Sequence, residues 1–294
     1  EAVIGGIVIS GTMISGRWAV LRGRAPRPAH CLLLTLCGLL LGACAVTRPV
    51  VKIGLVAPFE GRYREVGYEV VYAVRLAVRE ANMAGGVAGY SVELVALDDA
   101  GDLEQAVTQA GKLALDPQVM AVVGHWLEAT TQAAAPEYAR AGLPFLATAA
   151  GGLPAGVYRL WPASPCHLTT AAGCVEALED LRLGAADGIT LTVPAPLPAD
   201  STDPAFSDRY RAISNGVEPR FNAGLAYDAA RLLLAAIARD LQANKTPTRD
   251  GVGAALASSD WPGLSGRISF DAARQWTAPR LWTYRWQGGE LVRP

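Results

Sequence analysis

The chain has 294 residues, with 26 lysines and arginines against 27 aspartates and glutamates, and a formal net charge of −1. Hydrophobic residues make up 51% of it and charged residues 18%. This composition excludes a disordered chain and predicts one large or two medium domains with a sizeable core. The near-neutral charge gives no electrostatic case for a nucleic-acid partner. With three histidines and five cysteines, we predict no metal site and no cofactor.

The N-terminal region predicts an export signal. The apolar run 31–43 has 13 residues, whereas a membrane-spanning helix needs about 20. Basic residues precede the run, and it ends in Leu41-Gly42-Ala43-Cys44, which resembles the lipobox of bacterial lipoproteins. We therefore expect residues 1–43 to be removed as a signal region, and its first 12 or so residues to be an upstream artefact. Cys44 would carry lipid and anchor an exported protein to the membrane. The alternative is an ordinary buried cysteine in a short core helix.

Two cysteines follow the signal region and Cys44, at Cys166 and Cys174. An oxidising compartment permits a disulfide. If both residues lie in one helix, however, the eight-residue spacing separates them by about 12 Å, beyond the limit of about 7 Å between bridged Cα atoms. We therefore predict two unpaired thiols.

Apolar, β-branched runs alternate with amphipathic stretches between residues 50 and 147. The runs predict strands at Val50–Ala57, Ser91–Leu97, Val119–Val123 and Pro144–Ala147. The amphipathic stretches predict helices at Glu65–Met83, Asp102–Leu115 and Glu128–Ala141. Strands and helices in this alternation predict an α/β fold with a doubly wound parallel sheet.

The regular alternation of predicted strands and helices ends after residue 152. Short strands are predicted at Val157–Leu160 and Gly188–Val193, a turn at Trp261-Pro262-Gly263, and hairpin strands in the last thirty residues. The predicted helices are His167–Leu183, Phe206–Ile213, Ala223–Gln242 and Asp250–Ala257.

A ligand of an open parallel sheet binds beyond the carboxyl ends of the strands. The loops at these ends contain the residues that we expect to contact a ligand: Phe59, Tyr63, His125, Trp126, Thr130 and Ala149. The acidic loop Asp98–Asp102 is interpreted as a helix cap rather than a cation site, because a helix follows it directly. His125 is interpreted as a structural residue rather than a general base. No nucleophile motif stands near it, so we predict that the protein is not an enzyme.

Several stretches match one known family in order and spacing. They are Lys52–Pro58, Asn82–Gly89, Leu97–Asp102, Val123-Gly124-His125, Gly142–Leu146, Asp187–Pro194, Ala226–Ala229 and Gly266–Asp271. With them the chain resembles type I periplasmic solute-binding proteins, most closely the branched-chain amino acid/amide receptors of ABC importers. The resemblance implies a two-lobed clamshell that closes on a small solute and docks on a membrane permease.

The chain departs from this family in two places. Amino acid-binding members hold the α-carboxylate and α-amine with a hydroxyl residue where this chain has Glu128 and a threonine where it has Gly151. Only the backbone of Ala149 fits that pattern, so an amide, a polyol or a cationic solute fits better than leucine. Between Leu183 and Gly188, several of the family's strand–helix units are missing, which predicts a reduced second lobe.

From the resemblance we assign residues 44–152 plus 202–262 to lobe 1 and residues 153–201 plus 263–294 to a reduced lobe 2. The expected function is solute capture for an ABC importer by a lipid-anchored protein, with an amino acid, amide or similar small polar solute. A copy that has lost solute binding is one alternative. Another is a non-transport envelope sensor or scaffold lipoprotein that uses the same fold to contact a partner.

Overall fold

The computed structural model describes residues 48–149, 152–161 and 188–294. The predicted signal region, Cys44, the helix at 167–183 and the two later cysteines lie outside the described residues. The strands are β1 Val50–Ala57, β2 Ser91–Asp98, β3 Val119–Gly124, β4 Phe145–Ala147, β5 Tyr158–Arg159, β6 Thr190–Val193, β7 Asp260–Gly263, β8 Gly266–Ser269, β9 Trp282–Gln287 and β10 Glu290–Val292. The helices are α1 Arg64–Met83, α2 Leu103–Leu115, α3 Glu128–Arg140, α4 Phe206–Arg211, α5 Phe221–Ala243 and α6 Arg249–Ala257.

The main sheet has five strands in the order β2-β1-β3-β4-β5, and every pair in it is parallel. Its register aligns the strand ends, because Val56 pairs with Gly124, Gly124 with Ala147, and Ala147 with Arg159. One edge of the sheet therefore presents the carboxyl ends of its strands in a row.

Helices cover both faces of this sheet, which confirms the predicted doubly wound architecture. Ile53 and Leu55 of β1 pack in one core with residues of α1 and α5, whereas Val56 packs in a second core with residues of α2 and α3. The alternation follows from the period of two in a strand. Helix α5 is long and apolar enough to cross a membrane, but it is mostly buried in the fold, as the core helix of a globular domain is.

A buried carboxylate of α1 contacts the first turn of α5. Glu69 of α1 is 8% exposed, and it accepts hydrogen bonds from the backbone N–H of Arg220 (3.1 Å) and Ala223 (2.8 Å) and from Nδ2 of Asn222 (3.3 Å). The first turn of a helix has N–H groups without internal partners, and the residue at the N-cap of α5, Arg220, makes no side-chain cap. Glu69 therefore caps α5 from the neighbouring helix.

A second, smaller sheet has three antiparallel strands in the order β10-β9-β6. Leu191 and Val193 of β6 are fully buried, and Tyr284 of β9 is 1% exposed. The Tyr284 hydroxyl donates to Asp200 and accepts from the N–H of Leu197, both at 2.8 Å. These strands belong to the segments that the sequence analysis assigns to the reduced second lobe.

Two strand pairings lie at the predicted lobe boundaries, and the assignment of the lobes stays a prediction. Strand β5 follows residue 152 and pairs with β4 in the main sheet. The boundary between residues 262 and 263 falls inside the β7–β8 hairpin, whose strands pair from Asp260 with Ser269 to Gly263 with Gly266.

The turn predicted at Trp261-Pro262-Gly263 lies later in the chain, next to a buried carboxylate of α5. These residues lie in β7, and the turn falls at Leu264 and Ser265. Asp228 accepts hydrogen bonds from the N–H of Leu264 (2.8 Å) and of Ser265 (2.7 Å), and it is 2% exposed. Burial raises the pKa of the Asp228 carboxyl to about 6, although the two N–H donors oppose that change.

This pKa predicts a pH dependence of stability. Since the pKa in the folded state lies above the usual 3.8, Asp228 favours the folded state below pH 4 or so. That contribution is lost as the pH rises through 6, by about 3 kcal/mol in the free energy of unfolding. In Asp228→Asn we expect this component to be absent. The difference in the free energy of unfolding between wild type and variant therefore shrinks as the pH rises from about 4 to about 7. Urea unfolding across this range measures it. Glu93→Gln, at an exposed position, is the control, and an unchanged difference would contradict the prediction.

Candidate functional site

Three loops meet at the carboxyl edge of the main sheet. The contact point is Gly101, in the loop after β2, where an added Cβ atom would lie 3.4 Å from Cδ2 of Tyr63 and 3.1 Å from Cδ1 of Leu127. Its φ of +73° also favours glycine. The loops after β1, β2 and β3 are therefore packed directly against one another at the edge where the sequence predicts ligand binding.

Phe59 and Tyr63 line the accessible part of this edge. Both side chains are half-buried, and the N–H of Phe59 donates to Oδ1 of Asp98 at 2.7 Å. The same Asp98 oxygen accepts from the N–H of Ala100 at 2.8 Å, so one carboxylate holds two loops together. An open depression of about 540 Å³ lies in front of Phe59, and it is lined by Phe59, Glu60, Gly61, Arg64, Glu65 and Tyr68. An aromatic face with a charged rim is a common lining for a polar solute with an apolar part.

His125 lies below the edge and has no exposed surface. Its Nδ1 is 2.7 Å from Oδ2 of Asp99, and its Nε2 is 3.0 Å from the hydroxyl of Tyr138. With the proton on Nδ1, the ring donates to Asp99 and accepts from Tyr138, which satisfies all three groups. Burial, and next the charge of Asp99, raises the pKa of the Tyr138 hydroxyl well above its usual value. This geometry supports the structural interpretation of His125.

The other predicted contact residues are also enclosed. Trp126 and Thr130 have no exposed surface, and Ala149 is 1% exposed. Thr130 donates from its hydroxyl to the carbonyl of Leu127 at 3.2 Å, whereas Nε1 of Trp126 has no hydrogen-bond partner. The structure thus brings all six predicted residues to one edge, with Phe59 and Tyr63 accessible from outside. Contact between these residues and a solute stays a prediction.

The acidic loop after β2 caps a helix, as predicted. Asp102 accepts from the N–H of Gln105 at 2.8 Å, while the side chain of Gln105 donates to the carbonyl of Asp98. Asp99 accepts from the N–H of Gly101 at 3.0 Å. Among the described residues, no group of three or more histidine, cysteine or acidic side chains is arranged to hold a metal ion.

Sequence reasoning missed one residue at this edge, Arg159. It is the last residue of β5 and pairs in register with Ala147, yet it is only 9% exposed, and its Nε has no hydrogen-bond partner among the described residues. Burial lowers the pKa of its guanidinium, and the charge of Glu128 opposes that change. The signal was available in the sequence as an arginine inside the predicted apolar strand Val157–Leu160. It was overlooked because that strand was assigned to the other lobe.

Another cavity, of about 360 Å³, lies between α3 and α6 against the segments that precede β4 and β5. It is lined in part by Tyr138, Phe145 and Tyr158. Because it lies at the edge opposite to the carboxyl ends, it is not the expected place for a solute in this kind of sheet.

A family model described as periplasmic binding protein matches residues 50–176 and 166–290. The chain belongs to the periplasmic binding protein family. Its central parallel sheet with helices on both faces agrees with the type I fold of that family.

Curated relatives cover part of this periplasmic binding protein. An amino acid binding protein of Pseudomonas aeruginosa is 34% identical over 93 residues, which are 32% of this chain and 25% of that protein. A Leu/Ile/Val-binding protein homolog 7 of Brucella melitensis is 31% identical over 153 residues, 51% of this chain and 38% of that protein. The chain therefore matches these relatives over well under half of their length.

Solved structures of binding proteins share the fold. The branched-chain amino acid substrate-binding protein LivJ of Streptococcus pneumoniae, in complex with isoleucine, has a TM-score of 0.65 at 18% identity, covering 82% of this chain and 97% of that one. A solute-binding protein of R. palustris in complex with benzoate has a TM-score of 0.63 at 16% identity, covering 83% and 95%. At these identities the similarity establishes the fold of this periplasmic binding protein and not its solute.

We predict that the buried chain of Asp99, His125 and Tyr138 stabilises the carboxyl edge of this binding protein. Asp99→Ala leaves His125 and the N–H of Gly101 without their acceptor, so we expect a loss of about 2–4 kcal/mol in the free energy of unfolding. Tyr138→Phe removes one hydroxyl and is expected to cost about 1–2 kcal/mol.

Urea unfolding monitored by circular dichroism measures both losses. Tyr68→Phe, at a residue that is 49% exposed, is the matched control and is expected to change stability by less than about 0.5 kcal/mol. Equal stability of Asp99→Ala and the control would contradict a stabilising role for the chain of hydrogen bonds.

Proposed function

We propose that this protein is the extracytoplasmic, lipid-anchored solute-binding component of an ABC importer. It captures a small polar solute at the carboxyl edge of the main sheet and delivers it to a permease in the membrane. The main support for the proposal is the structure of the carboxyl edge of the main sheet. Three loops pack against one another at Gly101, and Phe59 and Tyr63 are accessible near charged side chains. The family, and relatives whose names refer to amino acid binding, support the same function.

The chemistry of the edge favours an amide or similar polar solute over a free carboxylate. Glu128, half-buried, is the first residue of α3 and lies at the same edge as Arg159. A carboxylate at a helix N-terminus offsets the positive end of the helix dipole, so it weakens the attraction of that end for an anion.

A second candidate function is a sensor or scaffold of the cell envelope that uses the fold to contact a partner. It is favoured by the burial of the predicted contact residues, because four of the six are enclosed. Solute binding separates the two candidates, because a scaffold needs no solute.

Thermal-shift screening of amino acids, amides and polyols, followed by calorimetric titration, tests the proposal. We expect at least one solute to raise the melting temperature, and Phe59→Ala and Tyr63→Ala each to weaken its binding by about 1–3 kcal/mol through loss of an aromatic contact. Met83→Ala, at an exposed residue of α1, is the control and should bind as the wild type does. A screen without any shift would leave the scaffold function, and unchanged affinity in both variants would place the solute elsewhere.

Metabolic labelling with a fatty acid tests the anchor. We expect label on the wild type and none on Cys44→Ser, because only the cysteine of the lipobox-like sequence can be acylated. The variant is expected to stay unprocessed or to leave the membrane fraction, since acyl chains supply the membrane affinity. Cys166→Ser is the matched control and should keep the label. Wild-type protein without label would refute the anchor and leave the solute-binding proposal standing.

A further inference from the structure

Arg159 is a buried cation at the proposed solute-binding edge, and its Nε has no hydrogen-bond partner in the part of the chain that the structure describes. It ends β5, and it is level with Ala147 and, through β4, with Gly124. A guanidinium that is nine-tenths buried has lost most of its hydration, and an unpaired buried donor costs free energy. An acceptor supplied from outside the chain would remove this cost.

The direction of the side chain follows from the pattern of the strand. Tyr158 and Leu160 pack in the core that contains α1 and α5, whereas Val157 and Ala147 pack in the core that contains α2 and α3. Arg159 lies between Tyr158 and Leu160 in sequence, so its side chain points to the α3 side. The electrostatic interaction of its guanidinium with Glu128, the first residue of α3, agrees with this direction.

Two separate features of the structure lie in the corner formed by the end of β5 and the start of α3. The first is the N-terminus of α3, a helix of 13 residues, which has Leu127 at its N-cap position and no side-chain cap. Helix N-termini attract electron-rich oxygen atoms. The second is the unpaired Nε of Arg159. Together they favour an oxygen acceptor on the solute.

Glu128 decides which kind of acceptor fits. Its negative charge lies close enough to Arg159 to influence that guanidinium. Among the described residues, this corner therefore contains both a cation, Arg159, and an anion, Glu128. A carboxylate would be attracted by Arg159 and repelled by Glu128, and it would have to give up its own hydration. A neutral carbonyl oxygen accepts from Nε without this repulsion and is cheaper to desolvate.

We propose that Arg159 is a specificity-determining residue whose Nε donates to the carbonyl oxygen of an uncharged, amide-type group on the solute. Glu128 is the neighbouring charge that disfavours the corresponding acid. This inference rests on the proposed solute-binding function and deepens it, because it names the polar group that the site selects.

Paired probes that differ only at the polar group test the inference. The probes are benzamide with benzoate and isovaleramide with isovalerate, titrated calorimetrically into the mature protein. We expect each amide to bind at least about ten-fold more tightly than its acid. The amide accepts a hydrogen bond from the charged Arg159 without repulsion, whereas the acid is repelled by Glu128.

Two variants assign this preference to the proposed residues. Arg159→Met keeps an unbranched side chain as far as the position of Nε and removes the donor, so we expect the amides to lose about ten-fold or more in affinity. Glu128→Gln keeps the shape and removes the charge, so we expect the ratio of amide to acid affinity to fall about ten-fold. Arg140→Met, at an exposed position near the other end of α3, is the control and should bind all probes as the wild type does. Circular dichroism and melting temperature confirm that each variant is folded.

Three results would overturn the inference: tighter binding of the acids, amide affinity unchanged in Arg159→Met, or no binding of any of the four probes. If Arg159→Met does not fold, the ratio measured in Glu128→Gln decides by itself. A solute found in the broader screen despite such a result would keep the solute-binding function and reject only the role of Arg159. A screen without any solute would reject the function as well.

Discussion

The packing of α5 against the first helix of the fold depends on a buried carboxylate. Glu69 lies in the first helix of the fold, and it caps a helix that begins about 150 residues later, at Phe221. Without this contact the first turn of α5 would be buried with N–H groups that have no partner. Farther along α1, Glu80 binds Arg209 of α4 and the hydroxyl of Tyr227 of α5. Two acidic residues on one helix therefore fix how the later helices cover one face of the main sheet.

The carboxyl edge combines a rigid base with an accessible rim. Asp99, His125 and Tyr138 satisfy one another in the base, and Asp98 joins the loops after β1 and β2. Such satisfied polar groups hold loops in one conformation, which lowers the entropy lost when a solute binds. Arg159 differs from these groups, because its Nε is buried without a hydrogen-bond partner among the described residues.

Under the proposed function, the two sheets would contribute unequally to the binding of a solute. Binding sites for small molecules usually bury most of the ligand. Among the described residues, the main sheet has five parallel strands, whereas the second sheet consists of the short strands β6, β9 and β10. On this proposal, the carboxyl edge of the main sheet supplies most of the polar contacts that recognise the solute.

The sequence by itself determined the helices and strands of the main sheet, because hydrophobic period and local caps act over a few residues. The strand Val50–Ala57 and the cap at Asp102 are examples. Only the tertiary structure placed β5 beside β4, since a two-residue strand carries too little pattern to name its partner. It also moved the turn to Leu264, through the distant Asp228, and enclosed His125 and Trp126. Burial and long-range hydrogen bonds depend on which segments meet, and that information lies in no single stretch of the chain.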